Sequence, residues 1–300
     1  MRGKMAIADS VLLFVTFVWG ATFTLVQNAL AFIPVFAFLA LRFAVAGAIL
    51  AGLSLAGPQG RARLFTPGTL AAGAVLGFWL FAGYALQTVG LLYTTPANSG
   101  FLTGLSVVMV PVLARVWLGQ STHAKVWVGV ALSFAGIFLL SAGSPGSLGE
   151  GDLLTIGCAL AFAVQIVLVG KYAPHHDPLA LTAIQLTVVG LLSAAGAATL
   201  HQWANLQSHL MQQRVWLALV ICTFLATLLA YFAQIVIQRW TTAARTALIF
   251  SAEPAFAAVV AAFYGERFHA VQIVGGLLIL SGMAVAEVRI RRTAREASPS

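Results

Sequence analysis

From residue 8 to residue 289 the chain is a succession of long apolar runs separated by short polar connections. Each run is close to the roughly 20 residues that a helix needs to cross the hydrocarbon core of a bilayer. That pattern leaves few folds open. In hydrocarbon every backbone N–H and C=O must be bonded inside the protein, so runs of this length are helices. They lie at residues 8–30, 34–56, 68–92, 95–118, 124–143, 152–172, 178–200, 214–238, 242–264 and 270–289, which predicts an all-α membrane protein of ten transmembrane helices. Only 8% of residues are charged and 60% are hydrophobic, with a mean hydropathy of +0.95. A soluble domain, where about 25% charge is usual, is excluded. Ten spans consume nearly all of the 300 residues, so the function must be carried out within the bilayer.

The formal charge of +8 does not point to nucleic acid, because the basic residues stand at the ends of the runs and form no continuous patch. They read as topology signals. With both termini inside, 13 of the 16 Lys and Arg residues fall on the cytoplasmic face; Arg214 and Arg267 fall outside and Arg42 within the membrane. A bacterial-type inner membrane with cytoplasmic N and C termini is the expected location. Arg2 and Lys4 before an apolar run resemble a signal peptide, but the run continues past Trp19-Gly20 towards Leu30, longer than a signal core, and is read as a retained first helix. Cys158 and Cys222 fall inside runs and read as core residues, with no disulfide framework implied. The expected partners are the lipid bilayer and a small-molecule substrate, with the chain a monomer or weak homo-oligomer.

The chain also repeats itself. Tyr84-x-x-Gln87 recurs as Tyr231-x-x-Gln234, and Thr94-Thr95 as Thr241-Thr242, 147 residues on. His123, Gly129 and Gly136 recur as His269, Gly275 and Gly282 at an offset of 146; Asp9 and Asp152 open the halves at an offset of 143, which also sets Arg42 opposite Gln185. So regular an offset predicts duplication of a five-helix unit, residues 1–146 and 147–300. An odd number of helices per copy reverses the sense in which the second enters the membrane. Two inverted repeats around a central cavity are expected, an architecture of secondary transporters.

A few polar groups lie deep in the runs. Glu253 is flanked by apolar residues on both sides; an acid at membrane depth costs upwards of about 2.5 kcal/mol and is kept where it has a partner or a water-filled space. The adjoining Pro254 has no N–H for the carbonyl of Phe250, so a kink is expected there. Arg42 lies roughly 12 Å into the second run. Arg42 and Glu253 together allow two readings: a pair of charges that binds a substrate or changes protonation, or a permanent ion pair locking the second helix to the ninth. Tyr84 and Gln87 share a helix face, with Trp79 beside it, and Tyr231 and Gln234 repeat that face. Trp19, Thr22, Asn98, Phe101, Phe162 and Gln165 would complete a polar and aromatic ring, with Arg245 at the inner mouth. Such a lining suits a zwitterion with an apolar or aromatic side chain better than a phosphate, which calls for clustered Arg or Lys. Glu266 and Glu287 stand at helix ends, where a carboxylate is solvated. The glycines of the fifth and tenth runs are read as helix contacts, and Gly73, Gly77, Gly100 and Gly104 as helix contacts or points of bending. No H-E-x-x-H, G-x-S-x-G or phosphate-loop signature is present, so no enzyme is expected. His175-His176-Asp177 lacks the i, i+4 spacing of a metal site and reads as a solvated turn, so neither metal nor cofactor is expected.

With these residues placed, the chain resembles the EamA-type permeases of the drug/metabolite transporter superfamily over residues 9–290. The resemblance is carried by Trp19-Gly20-Ala21-Thr22-Phe23, by Leu41-Arg42-Phe43, by Ala97-Asn98-Ser99-Gly100-Phe101-Leu102 running to Pro111, and by Ala244-Arg245 running to Glu253-Pro254 and Gly265-Glu266. The first copy departs from the second in having Gly119-Gln120 opposite Gly265-Glu266. The resemblance implies ten helices, a cavity lined mainly by helices 1, 3, 4, 6, 8 and 9, and export of small metabolites such as amino acids; a kink at Pro111 is expected as well, and alternating access of one half against the other is the expected mechanism. The rival readings are a sugar-phosphate or nucleotide-sugar antiporter and a non-transporting scaffold.

Overall fold

The computed structural model describes residues 2–120, 124–141 and 149–263, and beyond them 270, 271, 273–278, 281, 282 and 285. Every regular element among them is helical. In order these are α1 (Arg2–Leu30), α2 (Val35–Leu55), α3 (Pro58–Leu64), α4 (Pro67–Gly90), α5 (Pro96–Thr103), α6 (Ser106–Leu118), α7 (Ala124–Ser141), α8 (Glu150–Tyr172), α9 (Pro178–Thr199), α10 (Leu206–Leu210), α11 (Gln213–Thr223), α12 (Ala230–Gln238), α13 (Ala243–Phe250) and α14 (Glu253–Phe263). They supply eight segments long and apolar enough to cross a membrane, so the chain is a multi-pass membrane protein. The fifth expected run is the shorter apolar α7; the tenth, 270–289, is described only in part, and His123, Gly265, Glu266, His269 and Glu287 lie outside the described residues.

Three runs read as continuous helices are interrupted. The fourth breaks between α5 and α6 at Gly104-Leu105, and the ninth breaks between α13 and α14 at Ser251-Ala252. The kink expected at Pro111 is displaced: α6 runs through that proline, and the interruption lies before Ser106. Pro254, by contrast, is the second residue of α14, where its missing N–H is one the helix start leaves unbonded anyway. In the eighth run α11 and α12 are joined by a π turn over Phe224–Leu229.

Several features recur at the repeat offset. Thr95 Oγ1 caps α5 by accepting from the Asn98 N–H at 3.2 Å, and Thr242 Oγ1 caps α13 by accepting from the Arg245 N–H at 3.3 Å. The two helix breaks are likewise 147 residues apart. Contacts also come in exchanged pairs: α1 lies on α14 as α6 lies on α8, and α2 lies along α9, its own counterpart.

Close approach of backbones decides the main contacts. A Cβ on Gly20 of α1 would sit 2.7 Å from the Glu253 carbonyl oxygen and 2.9 Å from the Ala257 nitrogen. Gly47 of α2 faces Thr187 and Gly190 of α9 faces Ala44 in the same manner, so small residues alternate across that seam. Gly282 lies on Gly129, and Gly73 and Gly77 lie on α9, which makes these glycines helix contacts. Cys158 and Cys222 are fully buried free thiols.

Candidate functional site

A cavity of about 710 Å³ of atom-free space, its open mouth included, lies among α1, α2, α4, the α5–α6 break, α8, α12 and the α13–α14 break. Its wall takes Trp19, Thr22, Arg42, Tyr84, Gln87, Phe162, Gln165, Tyr231, Gln234 and Glu253 from the residues singled out in the sequence. It also takes Phe23, Val26, Thr88, Leu91, Thr103, Ser106, Ile166 and Phe250, which were not among the expected wall residues.

The π turn builds the polar centre. A wider i→i+5 turn disturbs the regular ladder and leaves backbone groups available to side chains. The Ala226 carbonyl accepts from Trp19 Nε1 at 2.8 Å and from Arg42 Nη2 at 3.4 Å, while Arg42 Nε donates to Thr227 Oγ1 at 2.6 Å. Arg42 Nη2 also donates to the Tyr84 hydroxyl at 3.2 Å, and the guanidinium carbon lies 4.7 Å from the Tyr84 ring centre and 5.1 Å from that of Phe43. Arg42 is 3% exposed, and all of these partners are neutral. The permanent ion pair with Glu253 is therefore not what holds Arg42. Among the described residues the ion pairs are Arg63–Asp177 and Arg245–Asp9.

Tyr84 and Tyr231, the repeated tyrosines, meet hydroxyl to hydroxyl at 2.9 Å. Two hydroxyls bring two protons and this bond uses one, while Arg42 adds only a donor; one hydroxyl proton is left to donate elsewhere. Trp19 stacks edge-on to Phe250 at 4.8 Å, and Phe162 to Tyr84 at 5.3 Å, giving the cavity aromatic faces beside its charges. Glu253 is half-buried on the wall as the first residue of α14, where the helix dipole favours a carboxylate.

The structure sets four expected wall residues elsewhere. Trp79 lies against Phe78, with ring centres 5.7 Å apart, and Phe101 is fully buried in the core. Asn98 belongs to the capped first turn of α5. Arg245 is engaged by Asp9: its Nε donates to Oδ1 at 3.2 Å and its Nη2 to Oδ2, tying the start of α13 to α1. The other opening aspartate, Asp152, accepts from Thr94 Oγ1 at 2.7 Å at the far end of α4. In the His175-His176-Asp177 turn, Asp177 caps α9 and pairs with Arg63, and His176 Nδ1 lies 3.1 Å from Thr69 Oγ1. The repeat offset itself marks two of the missed residues: Ser106 stands 147 residues before Glu253, and Thr103 the same distance before Phe250.

The Arg245–Asp9 pair is partly buried, so removing one partner strands the other. Arg245→Met is expected to destabilise the protein by about 1–3 kcal/mol, and adding Asp9→Asn to recover part of that loss. A double-mutant cycle on thermal unfolding in detergent checks this; additive effects would show that the pair contributes nothing.

Comparison with known proteins gives a family and a fold. A model of the EamA-like transporter family matches the chain twice, over residues 6–142 and 149–287. An uncharacterized transporter of Archaeoglobus fulgidus is 31% identical over 292 residues, which cover 96% of this chain and 88% of that one. The uncharacterized transporter YyaM of Bacillus subtilis is 26% identical over 286 residues, covering 91% and 90%. A protein crystal structure superposes with a TM-score of 0.78 over 96% of this chain and 99% of its own, at 20% identity, a likeness of fold.

Proposed function

Because the chain belongs to the EamA-like transporter family, we propose that it exports small zwitterionic metabolites, amino acids foremost, across a bacterial-type inner membrane by alternating access. The observation that carries the reading is that Arg42 and Glu253 share one cavity without forming an ion pair. Opposite charges kept apart on a wall with aromatic faces suit a cargo with a carboxylate, an ammonium and a carbon skeleton. A sugar-phosphate antiporter is less well supported: Arg42 is the one guanidinium on the described wall, and Arg245 is engaged by Asp9.

The proposed architecture is ten helices in two inverted five-helix repeats, residues 1–146 and 147–300. Support comes from the double match of the family model, from helix caps and breaks 147 residues apart, and from the exchanged contacts. With both termini cytoplasmic, the Arg245–Asp9 pair closes the cytoplasmic end and the wall residues Val26 and Leu91 lie towards the outer face. A state open to the outside is supported by the exposure of the repeated glutamines, Gln87 half-buried and its counterpart Gln234 fully buried.

Glu253 is the acid on the described wall able to carry a proton with the cargo. Uptake of labelled amino acids into proteoliposomes, with and without a pH gradient, tests the reading. Saturable uptake accelerated by the gradient is expected, with the acceleration lost in Glu253→Gln. Uptake indifferent to the gradient would remove proton coupling, normal transport by the variant would remove Glu253 from the mechanism, and no saturable uptake would overturn amino-acid transport.

A further inference from the structure

The amides of Gln165 and Gln234 are held in one orientation yet left half-bonded. Gln234 Nε2 donates to Gln165 Oε1 at 3.3 Å and to Gln238 Oε1 at 2.9 Å, and Gln238 Nε2 donates to the Ile166 carbonyl at 2.9 Å. Turning any one amide over would set two donors or two acceptors against each other, so this chain of bonds fixes which atom is which. Two atoms remain without a partner: Gln165 Nε2, a donor, and Gln234 Oε1, an acceptor. In a closed amide pair these two would bond to each other. Here that reciprocal bond is not made, and both atoms are buried in the cavity wall, which must give slightly for a cargo to reach them. Both residues line the cavity, at 2% and 0% exposure. At the corresponding positions of the first half the groups find partners in the protein: Thr22 Oγ1 donates to the Trp19 carbonyl at 2.8 Å and Gln87 Nε2 to Thr103 Oγ1 at 3.0 Å.

We propose that Gln165 and Gln234 form a subsite for a neutral group that carries an acceptor beside a donor, a primary carboxamide above all, as a second point of recognition on the cargo. A carboxamide would accept from Gln165 Nε2 through its oxygen and donate to Gln234 Oε1 through its NH₂, satisfying both atoms at once. A carboxylate would set an oxygen lone pair against Gln234 Oε1, and an ammonium would set its protons against the donor of Gln165. A hydrocarbon end would leave both amide atoms unpaired in a dry site, which is how a polar pocket rejects an apolar isostere. The proposal deepens the zwitterion reading but rests on it only for the cargo's charged end.

Isothermal titration of the purified protein in detergent separates the two ideas, using L-glutamine, L-norleucine, pentanamide and 2-hexanone as probes. Glutamine is expected to bind at least about tenfold more tightly than norleucine, the gain expected of two added hydrogen bonds, and pentanamide more tightly than 2-hexanone, which keeps the carbonyl oxygen but lacks the donor. Gln165→Leu and Gln234→Leu should each erase glutamine's advantage over norleucine. Equal affinities for glutamine and norleucine would overturn the subsite, leaving the two amide atoms to a water, and would leave amino-acid transport standing. Selection of pentanamide over 2-hexanone with neither amino acid bound would support the subsite and sink the zwitterionic cargo. An advantage that survives in both leucine variants, or no binding of any probe, would overturn the subsite.

Discussion

Replacing Arg42 by methionine is expected to raise the unfolding temperature of the purified protein, or leave it unchanged, while transport falls by at least about 30-fold. The two halves of this result come from one geometry. A guanidinium 3% exposed in a membrane segment has lost its water, and its compensation is a threonine hydroxyl, a tyrosine hydroxyl, a long carbonyl contact and two aromatic faces. None of these is an anion. Exchanging a whole buried ion pair for apolar side chains is often neutral or stabilising by about 1–4 kcal/mol because the desolvation cost disappears, and removing Arg42, whose partners are all neutral, likewise strands no opposite charge. The Ala226 carbonyl would keep its bond from Trp19. A cargo carboxylate would lose its cation, and truncating one side of a buried charged contact costs about 2–5 kcal/mol. Thermal unfolding and proteoliposome uptake on the same preparation make the comparison. A marked loss of stability with transport preserved would return Arg42 to a structural role.

Gly20→Val is expected to be the more damaging substitution to the fold, by about 3 kcal/mol or more, with loss of folded protein from the membrane fraction. The first added carbon would stand 2.7 Å from the Glu253 carbonyl oxygen and 2.9 Å from the Ala257 nitrogen, both backbone atoms that no rotamer change can move. α1 and α14 would have to separate at the turn that presents Glu253 to the cavity. Gly52→Ala is the control: nothing lies within 4 Å of the added carbon, so it should be neutral or gain up to about 1 kcal/mol from helix propensity. Fluorescence-detected size-exclusion chromatography after heating reads both. Equal behaviour of the two variants would contradict the close α1–α14 seam.

Much of this arrangement is legible in the residues because lipid restricts what a polar group can do. Tyr84 and Tyr231 announce themselves by recurring with their glutamines at one offset, and the structure brings their hydroxyls together. Trp79 fails for a plain geometric reason. Two four-residue steps before Gln87 accumulate about 80° of drift around the helix, enough to turn the ring off the cavity face and onto Phe78. Thr103 and Ser106 were hidden by reading 95–118 as one helix, since a break between them re-aims both side chains. The role of Arg245 was obscured because its partner, Asp9, lies 236 residues away. Nothing in Phe224–Leu229 distinguishes a π turn from ordinary apolar helix, because the carbonyl it frees is claimed by Trp19 and Arg42 from other parts of the chain.

That one loosened turn makes the cavity wall a matter of residue count as well as residue kind. A π turn takes up one extra residue in an otherwise regular helix, so deleting a single position between 224 and 229 would let the helix close up as ordinary α-helix with everything after it kept nearly in register. Tyr231 would still face Tyr84, but the carbonyl that the turn frees would return to the helix ladder, and Trp19 and Arg42 would lose their shared acceptor without either having been altered. Variant libraries should therefore find the exposed Phe224, Leu225 and Leu229 forgiving of apolar exchanges and the segment intolerant of one-codon losses.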